Sequence, residues 1–115
     1  MANIVEELES GVVVTQVTEN KSLTENIYCE LPWCDKYSHG FVYREQTDNV
    51  GPNRSNYVYC KFGTWETTVI GTGLGSCGIT FEGFFFYRRV AAGKQEFVRV
   101  NLMTGESKVI FDFPE

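Results

Sequence analysis

Hydrophobic and polar residues alternate along much of this chain with the two-residue period of a β-strand. In the segment 96–102, every second residue from Val98 to Leu102 is aliphatic, and the two residues between them are polar. Successive strand side chains point to opposite faces of a sheet, so one row faces a core and the other faces solvent. A short turn ending at Gly105 leads into another apolar segment at 106–113, and glycine tolerates the positive φ that such a turn needs. The sequence therefore predicts an antiparallel hairpin.

Strand-forming residues dominate six further segments. Their β-branched and aromatic side chains suit a pleated strand and disfavour a helix. The predicted strands are 12–18, 26–31, 41–46, 56–62, 65–70 and 79–89. Turn-forming residues at 91–94 join the last of these to the hairpin, so the final third of the chain is predicted to form three consecutive antiparallel strands. The polar, turn-rich segment 48–55 is predicted to be an exposed loop.

The start of the chain has a different pattern, which is typical of a short helix. Asn3 can cap the helix, Glu6 can complete a capping box, and Gly11 can end it. At 115 residues the chain has the length of one domain, and we expect a single β-rich domain over residues 1–115. The expected fold class is mainly β, as a small antiparallel barrel or a two-layer sandwich with one short N-terminal helix.

The charge and composition of the chain argue against some classes of binding partner. Ten basic and fifteen acidic side chains give a net charge of −5. This charge repels a phosphate backbone, so nucleic acid is not an expected partner. The sequence starts without a basic, apolar leader and contains no run of about eighteen apolar residues, so we expect a cytoplasmic protein that does not enter a membrane. In that compartment the cysteines are expected to remain thiols.

Cysteine and histidine side chains raise the questions of a metal site and of a thiol enzyme. Cys29, Cys34, His39 and Cys60 are residue types that bind zinc, but Cys29 and Cys34 are not spaced as in compact zinc sites, so no metal and no cofactor is predicted. Cys34 with His39 as its base leaves a thiol-dependent enzyme open as an alternative. We expect a protein without catalytic activity, because the sequence contains no other catalytic motif.

A glycine-rich segment at 71–78 includes Gly73 and Gly75. Closely spaced glycines let backbone amides approach a phosphate, but nucleotide-binding motifs continue into a helix, whereas strand-forming residues follow here. The segment is therefore predicted to be a mobile hairpin loop. Such a loop can lie over a ligand or a partner, because glycine permits close approach.

One predicted strand, 56–62, suggests a binding surface. Alternation places Tyr57, Tyr59 and Lys61 on one face, and the opposite face is the more apolar of the two and is expected to be the core. Two tyrosines and a lysine on an exposed strand are typical of protein interfaces, because tyrosine contributes a large contact area at a low entropy cost.

The leading functional hypothesis is a non-catalytic protein-binding module, such as an adaptor, an inhibitor or a phage-type accessory protein. Its predicted surface combines the tyrosine strand with the loops 32–39, which contains Trp33 and Tyr37, and 71–78. An alternative is a small barrel that binds a small molecule or a sugar, with the glycine loop as its lid. A homodimer through the edge strand at 12–17 is also compatible with the sequence.

Overall fold

The structure, a computed structural model, describes residues 3–18, 24–26, 34 and 36–114. Within these residues the chain forms ten antiparallel strands. They are β1 (Asn3–Glu7), β2 (Val13–Gln16), β3 (Thr24–Asn26), β4 (Gly40–Gln46), β5 (Ser55–Lys61), β6 (Thr67–Gly73), β7 (Cys77–Ile79), β8 (Phe84–Ala91), β9 (Lys94–Asn101) and β10 (Ser107–Pro114). The expectation of a mainly β protein is therefore confirmed.

The strands are arranged in three sheets, in each of which sequence neighbours are also neighbours in space. β1 and β2 form a hairpin, β3 to β6 form a four-stranded sheet, and β7 to β10 form a second four-stranded sheet. The connection between β6 and β7 passes from one four-stranded sheet to the other. The predicted consecutive strands of the final third, and the hairpin that turns at Gly105, are confirmed.

A core lies between the two four-stranded sheets. Val42, Tyr57 and Tyr59 from the β3–β6 sheet meet Phe85 and the other inward side chains of the β7–β10 sheet. The other inward side chains are Ile79, Tyr87, Val98 and Val100, with Leu102 just beyond β9. The rings of Tyr57 and Phe85 are 5.2 Å apart between centroids. Burying each such side chain stabilises the fold by about 1.5–3 kcal/mol.

β5 is covered on both of its faces, which contradicts the predicted exposed tyrosine surface. Tyr57 is 0% exposed and Tyr59 is 6% exposed. On the opposite face Val58 and Cys60 are also buried, together with Tyr43 in a smaller cluster. Because β5 is an inner strand of a sheet with neighbours on both faces, alternation along it separates two cores rather than a core from solvent.

Of the two expected architectures, a small barrel or a two-layer sandwich, the barrel is not closed. Gly73 in β6 lies against the backbone of Arg88 in β8, and the amide of Leu74 donates a hydrogen bond to the carbonyl oxygen of Arg88 at 2.9 Å. The two sheets therefore approach each other on this side. The outer strands β3 and β10 have no ladder between them in the described parts of the chain, so the structure stays open there.

The predicted N-terminal helix is replaced by a β-hairpin. β1 pairs with β2 in antiparallel register, with an irregularity between Ile4 and Glu6. The turn is closed by a hydrogen bond from the amide of Gly11 to the carbonyl oxygen of Leu8, and Gly11 has a φ of 88°. The β-branched run in β2 offers a pairing partner that outweighs the weak helix signals of β1. We call residues 3–16 the N-terminal arm.

Two other expectations need correction. The predicted strand 79–89 is interrupted before Phe84 by a turn, which contains the buried Gly83 with a φ of 93°. The predicted glycine loop is largely strand, because β6 includes Gly73 and β7 begins at Cys77. Most of the predicted strand 26–31 lies outside the described residues. The segments that the structure describes include no helix able to cross a membrane.

Candidate functional site

A row of phenylalanines crosses the outer face of the β7–β10 sheet. We call Phe86 of β8, Phe97 of β9, and Phe111 and Phe113 of β10 the phenylalanine face. The ring centroids of Phe86 and Phe97 are 5.7 Å apart, and those of Phe97 and Phe111 are 5.0 Å apart with nearly parallel planes. The ring of Phe113 follows at 6.1 Å from that of Phe111. The row therefore spans three adjacent strands.

A β-bulge in β10 aligns this row. Val109 pairs with the inward-facing Val98, whereas Phe111 pairs with the outward-facing Phe97, so Ile110 is the extra residue. A bulge shifts the alternation of a strand by one position. Without it, Ile110 would oppose Phe97, and Phe111 would turn to the other face. The bulge thus directs both Phe111 and Phe113 outward.

The outer end of the row is open to solvent. Every residue of β10 is exposed, and the side chain of Phe111 is 52% exposed. A contiguous exposed apolar surface is unfavourable unless something covers it, and such surfaces mark interaction sites. Within the described residues β10 is the edge strand of its sheet, so a row of backbone donors and acceptors that no other described strand pairs with lies beside the rings.

Positive charge surrounds the rings, although the whole chain is acidic. Arg88, Arg99 and Lys108 all stand on this outer face, with Glu106 as a carboxylate at its margin. The guanidinium of Arg99 lies 4.9 Å from the ring centroid of Phe84, and the guanidinium of Arg88 donates a hydrogen bond to the hydroxyl of Ser76 at 2.9 Å. The face therefore combines aromatic area with fixed cations.

A groove of about 420 Å³ lies at the other end of the row, between Phe86 and β7. Residues 76–80 form one side of it, and Phe86, Arg88 and Phe97 line the other. Its lining is mainly apolar, and a methyl group added at Gly78 would meet no atom within 4 Å. Gly78 thus leaves space for a side chain or another small group from outside the chain.

Burial suppresses the ionisation of two of the described cysteines, Cys77 and Cys60. Cys77 lines the groove, and burial raises its pKa to about 11, although Arg44 acts in the opposite direction. Burial also raises the pKa of Cys60 above its usual value. A thiol with a raised pKa is a poor nucleophile near neutral pH because little of it is ionised.

Two of the binding residues predicted from the sequence, Lys61 and Gly73, lie near opposite ends of β5, so the predicted residues do not form one site. Lys61 pairs with Gly40 at one end of the strand, whereas Ser55 pairs with Gly73 at the other. Tyr37 is 68% exposed, and the Lys36 ammonium lies 5.0 Å from its ring centroid. Trp33 lies outside the described residues.

The glycine connection is fastened to the core rather than free to hold a phosphate. The amide of Gly75 donates a hydrogen bond to the hydroxyl oxygen of Tyr57 at 2.8 Å, and a guanidinium nitrogen of Arg44 donates one to the carbonyl oxygen of Gly75 at 3.1 Å. Burial raises the pKa of Tyr57 to about 12, so its hydroxyl stays neutral. The prediction that this segment is a mobile loop is not supported by these contacts.

Among the described residues, no three histidine, cysteine or acidic side chains are grouped closely enough to bind a metal ion. Cys34 is half-buried and forms an isolated β-bridge with Phe41, while His39 is exposed. Cys29 lies outside the described residues. Comparisons of the chain with family models, with curated proteins and with solved structures gave no match.

Proposed function

We propose that this chain is a non-catalytic protein-binding module, and that its docking surface is the phenylalanine face. The observation that carries the proposal is the row of four rings across three strands, exposed at its outer end and bordered by cations. It keeps the type of surface expected from the sequence, an aromatic strand face, but assigns it to β8, β9 and β10 instead of β5.

The composition of this face fits a protein partner. Aromatic residues and arginine are enriched where proteins bind each other, because they bury a large area at a low entropy cost and form directional polar contacts. The face offers phenylalanine area together with Arg88 and Arg99. The groove beside Phe86 can accept a side chain of the partner, and a deep anchor of this kind supplies much of the affinity of an interface.

A second candidate function is the binding of a small molecule in the same groove. Its volume lies within the range of about 300–1,000 Å³ that ligand pockets occupy, and its lining combines aromatic walls with Arg88 and Ser76. This replaces the barrel cavity that the sequence suggested, because Tyr57 and Phe85 fill the space between the sheets. Native mass spectrometry of the purified chain tests it, since a bound molecule adds its mass.

The binding proposal is tested by comparing three versions of the chain as bait in the same lysate. The double variant Phe111→Ser/Phe113→Ser should lose the captured partner, because it removes the exposed end of the row. The matched control is Phe62→Ser, in which the same substitution is made at another exposed phenylalanine, on the β3–β6 side. Quantitative mass spectrometry of the captured proteins is the measurement.

The result expected is a protein captured by the wild-type chain and by the Phe62→Ser control but reduced at least about tenfold with the double variant. Each of these phenylalanines also contacts another ring, so the thermal midpoint of every bait is measured and capture is compared at a temperature at which all three are folded. Equal capture by the double variant and the control would contradict the assignment of the binding surface.

A further inference from the structure

The N-terminal arm carries apolar side chains on both of its faces. Leu8, Val12 and Val14 share one face with Glu6, and Ile4 and Val13 share the other with Glu7. The five apolar side chains are all at least 40% exposed. A soluble protein rarely leaves a strand ribbon apolar on both faces unless another molecule covers it.

The arm is also incomplete as a structural unit. An isolated two-stranded hairpin is at best marginally stable in water. In the described part of the chain, neither β1 nor β2 pairs with any other strand, so both outer edges of the hairpin are open. Among the described residues, the arm therefore presents backbone groups that pair with no further strand as well as exposed apolar side chains, and docking on another surface would cover those side chains.

The charges of the arm are opposite to those of the phenylalanine face. Glu6, Glu7 and Glu9 are exposed on or beside the arm, whereas Arg88, Arg99 and Lys108 border the rings. One surface is apolar and acidic, and the other is apolar and basic. Complementary charges steer two surfaces together and fix their orientation, while the apolar parts supply the affinity.

We infer that the partner of the phenylalanine face is the N-terminal arm of a second copy of this chain. The inference rests on the proposed function, because it names an occupant for the same surface. An aliphatic side chain of the arm enters the groove beside Phe86, and the acidic side chains meet the cations at its rim. The arm and the face are different surfaces, so copies assemble either head to tail through heterologous contacts or as two-fold pairs that exchange arms.

Sedimentation velocity of the purified full-length chain over a range of concentrations tests this inference. The wild-type chain should form species larger than the 13.1 kDa monomer. Two arm variants, Val12→Ser/Val14→Ser and Glu6→Lys/Glu7→Lys, should each weaken association at least about tenfold, as should Phe111→Ser/Phe113→Ser. The matched control is Val50→Ser, because Val50 is 96% exposed in the loop between β4 and β5, and it should associate like the wild-type chain.

Mixing an arm variant with a face variant distinguishes contact between the arm and the face from contact through other surfaces. The Val12→Ser/Val14→Ser variant keeps an intact face, and the Phe111→Ser/Phe113→Ser variant keeps an intact arm. Each alone should associate at least about tenfold more weakly than the wild-type chain, and an equimolar mixture should form one-to-one pairs. The charged rim predicts that raising the salt from about 0.05 M to about 0.5 M weakens wild-type association. The Glu6→Lys/Glu7→Lys variant leaves the apolar residues intact, so it tests the contact even if the serine substitutions disrupt the hairpin.

Several outcomes overturn the inference, and they differ in what they mean for the proposed function. A wild-type chain that stays monomeric overturns the inference alone, provided that Phe111 and Phe113 are still needed to capture another protein. Association that survives both arm variants indicates pairing of strand edges across a two-fold axis and also overturns it. If Phe111→Ser/Phe113→Ser changes neither self-association nor capture, the proposed function fails as well.

Discussion

Replacing Tyr57 with alanine should lower the free energy of unfolding by about 3–5 kcal/mol, as expected when a large aromatic side chain is removed from a core. The ring is fully buried and lies 5.2 Å from the Phe85 ring and 5.0 Å from the Tyr87 ring, measured between centroids. Its hydroxyl also accepts a hydrogen bond from the amide of Gly75. Urea denaturation followed by tryptophan fluorescence measures the loss.

Tyr57→Phe is the matched control for this substitution. It keeps the ring and removes the hydroxyl, so we expect a loss of about 1–3 kcal/mol from the unsatisfied Gly75 amide. Burial raises the pKa of Tyr57 from 10.0 to about 12, so the unfolded chain ionises this tyrosine at a lower pH than the folded chain does. The contribution of the neutral hydroxyl to folding stability is therefore complete below pH 10 and is lost as the pH rises from 10 toward 12. Tyr57→Phe should lack that part of the alkaline decline. A Tyr57→Ala variant with nearly the same free energy of unfolding as the wild-type chain would mean that the tyrosine is not in the core.

Replacing Gly73 with alanine should cost about 3 kcal/mol, at the upper end of what overpacking costs. A β-carbon at Gly73 would overlap the carbonyl oxygen of Arg88 and touch the ring of Tyr87. The overlapped atom belongs to the backbone of Arg88 rather than to a flexible side chain, so β6 and β8 would have to separate. The expected result is a lower urea midpoint with an unchanged fold by circular dichroism.

Gly78→Ala is the matched control for Gly73→Ala. Both glycines are in strands and neither has a positive φ, but a methyl group at Gly78 meets open space. We expect its free energy of unfolding to stay within about 0.5 kcal/mol of the wild-type value. Equal stability of the two variants would contradict the close approach of the two sheets at Gly73.

The sequence pattern was sufficient to find most of the strands but not their environments. The alternation from Val98 to Leu102 correctly identified the inward row of β9, because that strand has one outward face. The same reasoning failed at Tyr57 and Tyr59. Which strands lie at the centre of a sheet with both faces covered depends on contacts between distant segments, and local periodicity does not contain that information.

The N-terminal arm and the glycine segment show two other limits. Asn3 and Glu6 have helix-capping chemistry, yet pairing with β2 determines the structure of β1, because tertiary pairing outweighs a weak local preference. The spacing of Gly73 among other glycines predicts a mobile loop. In the structure the absence of a side chain at this position allows two backbones to meet, which is a role that glycine composition alone does not distinguish.

The phenylalanine face was not found from the sequence for a specific reason. Phe111 and Phe113 are two residues apart, so they point to the same face of the sheet. Which face that is depends on the bulge at Ile110. A run of three phenylalanines at 84–86 also hides which of them faces outward. Phe97 is adjacent to the inward Val98, so alternation alone places Phe97 on the outer face. That inference extends to Phe111 only once the pairing register of β9 and β10 is known.

Site-specific photo-cross-linking shows whether the phenylalanine face contacts another polypeptide. A photoreactive phenylalanine analogue placed at position 111, and in a second preparation at position 62, reports which polypeptides lie beside each ring. We expect a cross-linked adduct from position 111, of twice the 13.1 kDa chain mass if the partner is a second copy, and none from position 62. No adduct from position 111, or equal adducts from both positions, would contradict it.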